Sequence, residues 1–367
     1  MFFDEIIHGT QYYRSPTPLP EEWEGDIKNL KDYNLDVMQI RINWRNNERV
    51  ENEYTFDDVD RLMDLAEQNG KKVIIKFLLE CAPQYIFDKY GGDRIGPKGE
   101  VLRGGYHGAF YGGWKPCFTN ENVRKRARLF VSKIAERYHK RKNLILWNVW
   151  NEPRTKPTEE CFCSHCRKAF GKHLQKKFGT VEKLNAFYGA TEESFEKINL
   201  PSTPHGFWDI FEFKKFKAGQ DIYEDLRFVY DEIRHFDKTR PIMSHVGYTS
   251  AFRTSLYDLL DDYTVREAVD FWGTSIPCDT EMKTPEAKLC KALDNLEAVI
   301  SHNEADLSTW TELEYDLNLT YGEKNCEFSE WTKALRAELK KDSIEKIEQA
   351  KSQTTIVGTD VLDGPKK

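Results

Sequence analysis

From Ile6 to Glu312, short apolar runs alternate with longer stretches of helical periodicity, an order that folds into repeated strand–helix units around a parallel sheet. The strand candidates are Ile6–Tyr12, Val37–Ile42, Val73–Leu78, Leu144–Trp150, Ile242–Val246, Phe271–Ser275 and Ser308–Glu312. Helical patterns separate them at Pro20–Tyr33, Phe56–Asn69, Val123–Lys140, Cys166–Phe178, Phe211–His235 and Pro285–His302. The 367 residues leave room for one (β/α)8 barrel, which typically needs about 250 residues plus its loop insertions. A doubly wound open sheet is the competing α/β arrangement. No G-x-G-x-x-G or P-loop string follows any candidate strand, so phosphate-cradling nucleotide chemistry is not expected. The reading is a catalytic (β/α)8 barrel over residues 1–340 with an atypical or incomplete eighth unit. Residues 341–367 read as a charged remnant of that unit, and Thr354–Val357 is a weak signal for its strand. Two long loop-like regions, Cys81–Phe118 and Gly179–Trp208, fall where barrel enzymes build their sites.

Composition narrows the partners. Lys and Arg total 54 against 61 Asp and Glu, a net charge of −7 that lacks the basic footprint of nucleic-acid binding. No run approaches the roughly 18 uncharged apolar residues of a membrane helix. The opening Met1-Phe2-Phe3-Asp4-Glu5 has neither a basic lead-in nor an apolar stretch of signal-peptide length, so the expected location is cytoplasmic. Eight cysteines in a reducing compartment then read as buried side chains or metal ligands rather than disulfides.

Four constellations carry chemistry. Leu146-Trp147-Asn148-Val149-Trp150-Asn151-Glu152-Pro153 is an apolar strand that stops at Asn-Glu-Pro. Proline cannot continue a central strand, which puts Glu152 at the strand's C-terminal edge between tryptophans, surroundings of the kind that suit a general acid. Alone, it reads rather as a strand-ending glutamate satisfied by a helix N-terminus or a lysine. The second carboxylate comes from Ser308–Glu314, whose alternation puts Trp310, Glu312 and Glu314 on one strand face. Strands 4 and 7 of a barrel face each other across the interior, and retaining glycoside hydrolysis uses two carboxyl groups about 5–5.5 Å apart. Position favours Glu312 over Glu314 as nucleophile, with a structural role for both as the alternative. Cys161-Phe162-Cys163-Ser164-His165-Cys166 stands just before a helix, and Cys117 lies upstream. Three such thiolates suit tetrahedral zinc with Cys117, or else His165, as fourth ligand; full protein ligation would make the metal structural. Cys81, Cys278, Cys290 and Cys326 read as packing residues. Aromatic residues near strand ends or in the long loops (Trp44, Tyr106, Tyr111, Trp114, Trp147, Trp208, Tyr248, Trp272 and Trp310) suit the flat faces of sugars. Tyr248, Trp272 and Trp310 are the candidate substrate contacts among them.

Together these residues resemble glycoside hydrolase family 42, the β-galactosidases. The similarity runs from GTQYYRSPTPLPEEWEGD through QIRINW, ENEYTFDDVD and APQYI to WNEP, CFCSHCRKAF and FGTVEKLNAFYG. The resemblance implies a retaining double displacement on terminal β-D-galactosides, with Glu152 as acid/base and Glu312, within TELEYD, as nucleophile. It implies a substrate contact by Asn151 and a structural zinc on Cys117, Cys161, Cys163 and Cys166; Arg41 is a further candidate substrate contact. A related retaining mannanase or glucanase, or an inactive carbohydrate-binding remnant, is the alternative. The expected partner is a carbohydrate, with no nucleic acid or membrane, and a homo-oligomer is left open. Two departures stand out: Gly113-Trp114-Lys115 where many relatives carry an arginine pair, and Glu314 where they carry glutamine. Relatives also continue into a trimerisation domain and a small β domain beyond the point where this sequence stops.

Overall fold

The structure, a computed structural model, describes residues 7–103, 113–155, 160–201, 207–246, 260–274 and 285–357. The chain divides into two compact units, residues 1–275 and 276–367.

The first unit is a parallel sheet covered by helices. Its strands are β1 (Gly9–Arg14), β2 (Val37–Asn43), β3 (Lys72–Leu78), β4 (Leu144–Asn148), β5 (Ile242–Val246) and β6 (Phe271–Thr274). They lie side by side in chain order, every neighbouring pair parallel. A doubly wound sheet reverses its order at a switch point; an unbroken sequence of neighbours is how a (β/α)8 barrel winds, and that is the fold class.

The longer helices between the strands are α1 (Trp23–Asp32), α2 (Asp57–Gln68), α3 (Gln84–Tyr90), α4 (Glu121–Tyr138), α5 (Ser164–Phe178), α6 (Val181–Tyr188), α7 (Phe207–Ala218) and α8 (Gln220–Phe236). Their apolar stripes explain their seating. In α2 the buried residues are Val59, Leu62, Met63 and Ala66, spaced as one helix face. In α8 the same spacing brings in Ile222, Leu226, Val229 and Ile233. These stripes meet Met38, Ile40, Ile42, Val73, Ile75 and Phe77 of β2 and β3 in the main apolar core. Alternation along a strand then sends Gln39, Arg41 and Asn43, and on the next strand Lys76, to the opposite face. Polar groups that enter the core are matched: Glu48 accepts from Trp44 Nε1 and Arg126 Nη2, both at 2.8 Å, and Asp237 accepts from Trp147 Nε1 at 2.9 Å.

The second unit is helical among its described residues: α9 (Pro285–Glu304), α10 (Glu312–Thr320), α11 (Glu330–Val357) and a single turn at Glu323–Cys326. Ala292, Leu296, Val299, Cys326 and Leu339 form its own small core. This division falls earlier than the expected boundary at residue 340, because α9 and α11 pack on each other around that core. The expected seventh strand, Ser308–Glu312, is not formed. Leu307–Thr309 is a 3-10 turn and Glu312 opens α10. The physical reason lies in the same residues: Thr311 and Glu314 make a capping box, the Glu314 carboxylate accepting the Thr311 amide at 2.5 Å. That local helix start overrides the alternation. Thr354–Val357, the weak eighth-strand signal, continues helix α11. No helix among the described residues is long and apolar enough to cross a membrane.

Candidate functional site

The C-terminal ends of β2–β5 assemble a polar cluster. Register sets Arg41 of β2 beside Lys76 of β3, Lys76 beside Asn148 of β4, and Asn148 beside Met243 of β5. Arg41, Lys76 and Asn148 are buried. Asn148 Nδ2 reaches Gln39 Oε1 at 3.4 Å, and His245 lies two residues beyond Met243 on the same face.

Beyond β4 the chain turns. Glu152 takes a φ of 47°, the left-handed region that a non-glycine residue occupies at a cost of roughly 1–2 kcal/mol. Asn151 is anchored there by Lys76, whose Nζ donates to Asn151 Oδ1 at 2.7 Å. Glu152 Oε2 lies 3.5 Å from Arg154 Nη1, with the Glu152 side chain 28% exposed. The Asn-Glu pair thus stands at the strand end as expected, fixed by an ammonium on one side and a guanidinium on the other.

The tryptophans around it do a different job from the one expected. Trp147 is fully buried, stacked on Phe77 with centroids 5.9 Å apart. Trp150 is buried edge-on to Phe118 at 5.3 Å. Both belong to the core beneath the site and offer no free sugar platform.

Electrostatics single out residues that sequence reasoning missed. Lys76 is pulled down to about 7, by burial first and then by Arg41, against the charges of Glu80 and Glu152. His245 is pushed down to about 3 by burial, Lys76 and Arg41. Burial raises the Glu80 carboxyl, against the nearby Lys115, Lys76 and Arg41. One signal was available: a lone lysine inside the apolar run Val73-Ile74-Ile75-Lys76-Phe77-Leu78 has no solvent to face, so it must serve an interior group.

The remaining candidates fall out as follows. Arg41 and Asn151 are in the cluster. Trp272 is half-buried against the main core, its Nε1 donating to Asp262 Oδ1 at 3.1 Å. Trp310 belongs to the second unit, where it packs on Tyr315 at 5.4 Å and donates to the His302 carbonyl at 3.1 Å. Its placement on a strand face is therefore corrected along with the strand. Tyr248, Tyr106, Tyr111 and Cys278 lie outside the described residues, as do the side chains of Glu312 and Cys290. At the Gly113-Trp114-Lys115 departure, the Lys115 ammonium sits 5.5 Å from the Trp150 ring centroid and 4.0 Å from Asp225.

The second feature of this unit is the cysteine cluster. Cys163 N-caps α5 and Cys166 lies in its first turn, while Cys117 comes from the segment before α4. The ligand atoms of Cys117, Cys161, Cys163 and Cys166 all lie within 4.8 Å of one another. Cys117 Sγ is 3.6 Å from Cys163 Sγ and 3.7 Å from Cys166 Sγ. Tetrahedral bonds of about 2.3 Å require sulfurs about 3.8 Å apart, so the donor set fits a zinc-sized thiophilic ion. Two donors stabilise thiolate there: the Ile95 amide on Cys161 Sγ at 3.4 Å and the buried Lys217 ammonium 3.3 Å from Cys166 Sγ. His165 is outside the cluster and lines a separate groove, and Cys117 is the fourth member of the group.

Known proteins are similar to this chain over most of its length. The profile of glycoside hydrolase family 42, described as β-galactosidase, matches residues 12–303, which include the whole polar cluster and all four clustered cysteines. Pbg, a β-galactosidase of Clostridium perfringens, is 25% identical over 279 residues, 73% of this chain and 37% of its own length. A β-galactosidase of Thermus thermophilus is 28% identical over 199 residues, 53% of this chain and 30% of its own. The chain thus spans about a third of the length of these relatives. Among solved structures, the β-galactosidase of the haloarchaeon Halorubrum lacusprofundi superposes with a TM-score of 0.65 at 22% identity, covering 81% of this chain and 45% of that one. With strand order, strand-end glutamate and thiolate cluster all inside the matched segment, the chain belongs to glycoside hydrolase family 42.

Proposed function

We propose that this chain carries the catalytic machinery of a retaining β-galactosidase, with a carbohydrate as its partner. The observation that supports this most is Glu152, held at the end of β4 in a left-handed turn beside an Asn151 that Lys76 anchors, in a chain of this family. In this reading Glu152 protonates the glycosidic oxygen, a nucleophilic carboxylate forms the glycosyl–enzyme, and Glu152 as base then activates water. Glu312 is the proposed nucleophile, supported by the resemblance of TELEYD to the family's nucleophile segment and no longer by a strand face. Glu314 is committed to capping α10 through the Thr311 amide, which weighs against it as the rival.

Turnover of an aryl β-D-galactoside tests the reading. Glu152→Gln is expected to lose more than about a hundredfold in kcat/KM with a poor leaving group, while with an activated aryl leaving group its slowed second step should be rescued in kcat by azide, which needs no general base. Wild-type-like hydrolysis by Glu152→Gln would remove it from the acid/base role. Glu312→Ala should lose at least as much while Glu314→Ala keeps turnover, and the reverse pattern would transfer the nucleophile to Glu314.

The four cysteines are proposed to hold a structural zinc, which ties the Cys117 segment to the start of α5 and leaves no open coordination position for chemistry. Elemental analysis should find one zinc per chain in wild type and a loss in Cys163→Ser; zinc-free native protein would refute it. The four reduced thiols suit the cytoplasm, the proposed location.

A further inference from the structure

The cysteine cluster has a cation of its own. Lys217, in the last turn of α7, is 2% exposed and lies beside the rings of Phe213 and Phe216, 6.0 and 5.7 Å from their centroids. A buried ammonium is costly unless charged or polar partners answer it. Two do: its Nζ stands 3.3 Å from Cys166 Sγ and donates to Asp221 Oδ2 at 2.9 Å. Asp221, at the start of α8, keeps 17% of its side chain exposed and lines the edge of a groove, where an ordinary surface ion pair would satisfy both charges. The lysine is turned inward to the sulfur instead.

Thr119 closes a ring of contacts. Its Oγ1 donates to Asp221 Oδ1 at 3.1 Å and stands 3.5 Å from Cys166 Sγ. A threonine hydroxyl has one proton, and here it goes to the carboxylate. A cysteine that ligates a metal is a thiolate, with no proton to offer Thr119 and lone pairs that call for a donor. Among the described side chains, Lys217 is the donor left to Cys166. Cys161 is served differently, by the Ile95 amide at 3.4 Å. Four thiolates around a divalent ion leave two negative charges in a buried place, and Lys217 sets a positive charge beside them.

We propose that Lys217 positions Cys166 and offsets the charge of the metal centre, and that this contact sets how firmly the four cysteines keep their ion. Lys217 is a positioning residue: it acts through Cys166 and is not itself a ligand. Donors placed behind a metal ligand tune its affinity, and losing one costs about 10- to 100-fold. The inference rests on the metal reading of the four cysteines, and the two are tested apart.

The whole chain is loaded with zinc or with cobalt(II) and titrated with a chromophoric chelator at one pH. Lys217→Met should bind zinc about 10- to 100-fold more weakly than wild type, and Lys217→Arg should recover part of the loss. In the cobalt form the sulfur-to-metal charge-transfer band reports the sulfur directly. Without the ammonium Cys166 is the better electron donor, so in Lys217→Met the band should move to longer wavelength. Asp221→Asn has the opposite sign: it leaves the ammonium's charge to Cys166, so the band should move to shorter wavelength, and this variant decides if Lys217→Met does not fold. A lysine that merely packs the segment predicts weaker binding with the band in place. A band at the wild-type wavelength in every variant that folds would therefore overturn the proposal, whatever the affinities. Wild-type protein that takes up neither ion refutes the metal site itself, whereas a loaded wild type with unmoved bands in the variants refutes only the role of Lys217.

Discussion

Burying a lysine in a strand makes the stability of the first unit depend on pH in a way that can be worked out beforehand. Lys76 is fully buried and titrates at about 7 instead of the ordinary 10.5, chiefly through burial and then through Arg41. Between those two values the folded chain has released the proton and the unfolded chain still holds it. The unfolded state therefore binds more protons, and stability rises with pH across the window. Below pH 7 the charged ammonium is carried at full cost, about 5 kcal/mol for a shift of this size. The cost falls by roughly 2.5 kcal/mol between pH 6 and pH 9. Lys76→Met has no such proton. It also loses the donor to Asn151 Oδ1 at 2.7 Å, worth about 1.5–3 kcal/mol, but that loss sets the offset of the comparison and not its slope. The assay is urea unfolding of both proteins at pH 6 and pH 9, read from exchange protection of the β2 and β3 amides so that the first unit alone is followed. The advantage of Lys76→Met over wild type should shrink by about 2.5 kcal/mol from pH 6 to pH 9. A difference that stays constant would refute the claim that a charge is buried there.

Two further substitutions probe how the cysteine-bearing helix is seated. Glu212 of α7 accepts from His173 Nε2 at 2.8 Å and from Lys177 on α5; burial would raise its carboxyl, but these partners hold it at about 2. Its contribution is present above the ordinary carboxylate range and is lost as pH falls toward 2, so Glu212→Gln should cost up to about 3 kcal/mol at pH 7 and about half that at pH 3 in thermal or urea melts. A cost that does not change with pH would contradict the pairing. Gly171, inside α5, is the other point: a Cβ there would stand 2.1 Å from the Phe195 carbonyl oxygen. Gly171→Ala should therefore destabilise by about 1–3 kcal/mol despite the better helix propensity of alanine, and a raised melting temperature would show that the segment yields.

What could be read in advance follows from the range of the forces involved. Parallel strands covered by helices are nearly continuous apolar runs, so β2 and β3 stood out, and Pro153 marked the end of β4 and with it Glu152. The cysteine cluster was legible because three of its four members are local in sequence. The seventh strand failed because two patterns coexist at Thr311–Glu314. Alternation there is a weak signal that tertiary burial would have to reward, whereas the capping box is satisfied within four residues and needs no partner strand. Lys76, Glu80 and His245 escaped for the opposite reason. Glu80 and His245 are unremarkable in their own segments; Lys76 is marked only as a misfit in its apolar run, and what it serves becomes visible only when register sets strands distant in sequence beside one another. A site whose chemistry is built by register must be sought in the residues a strand has no local reason to contain. A lysine in the middle of an apolar run is such a residue, and it leads to the cluster of Arg41, Asn148 and Asn151 at the strand ends.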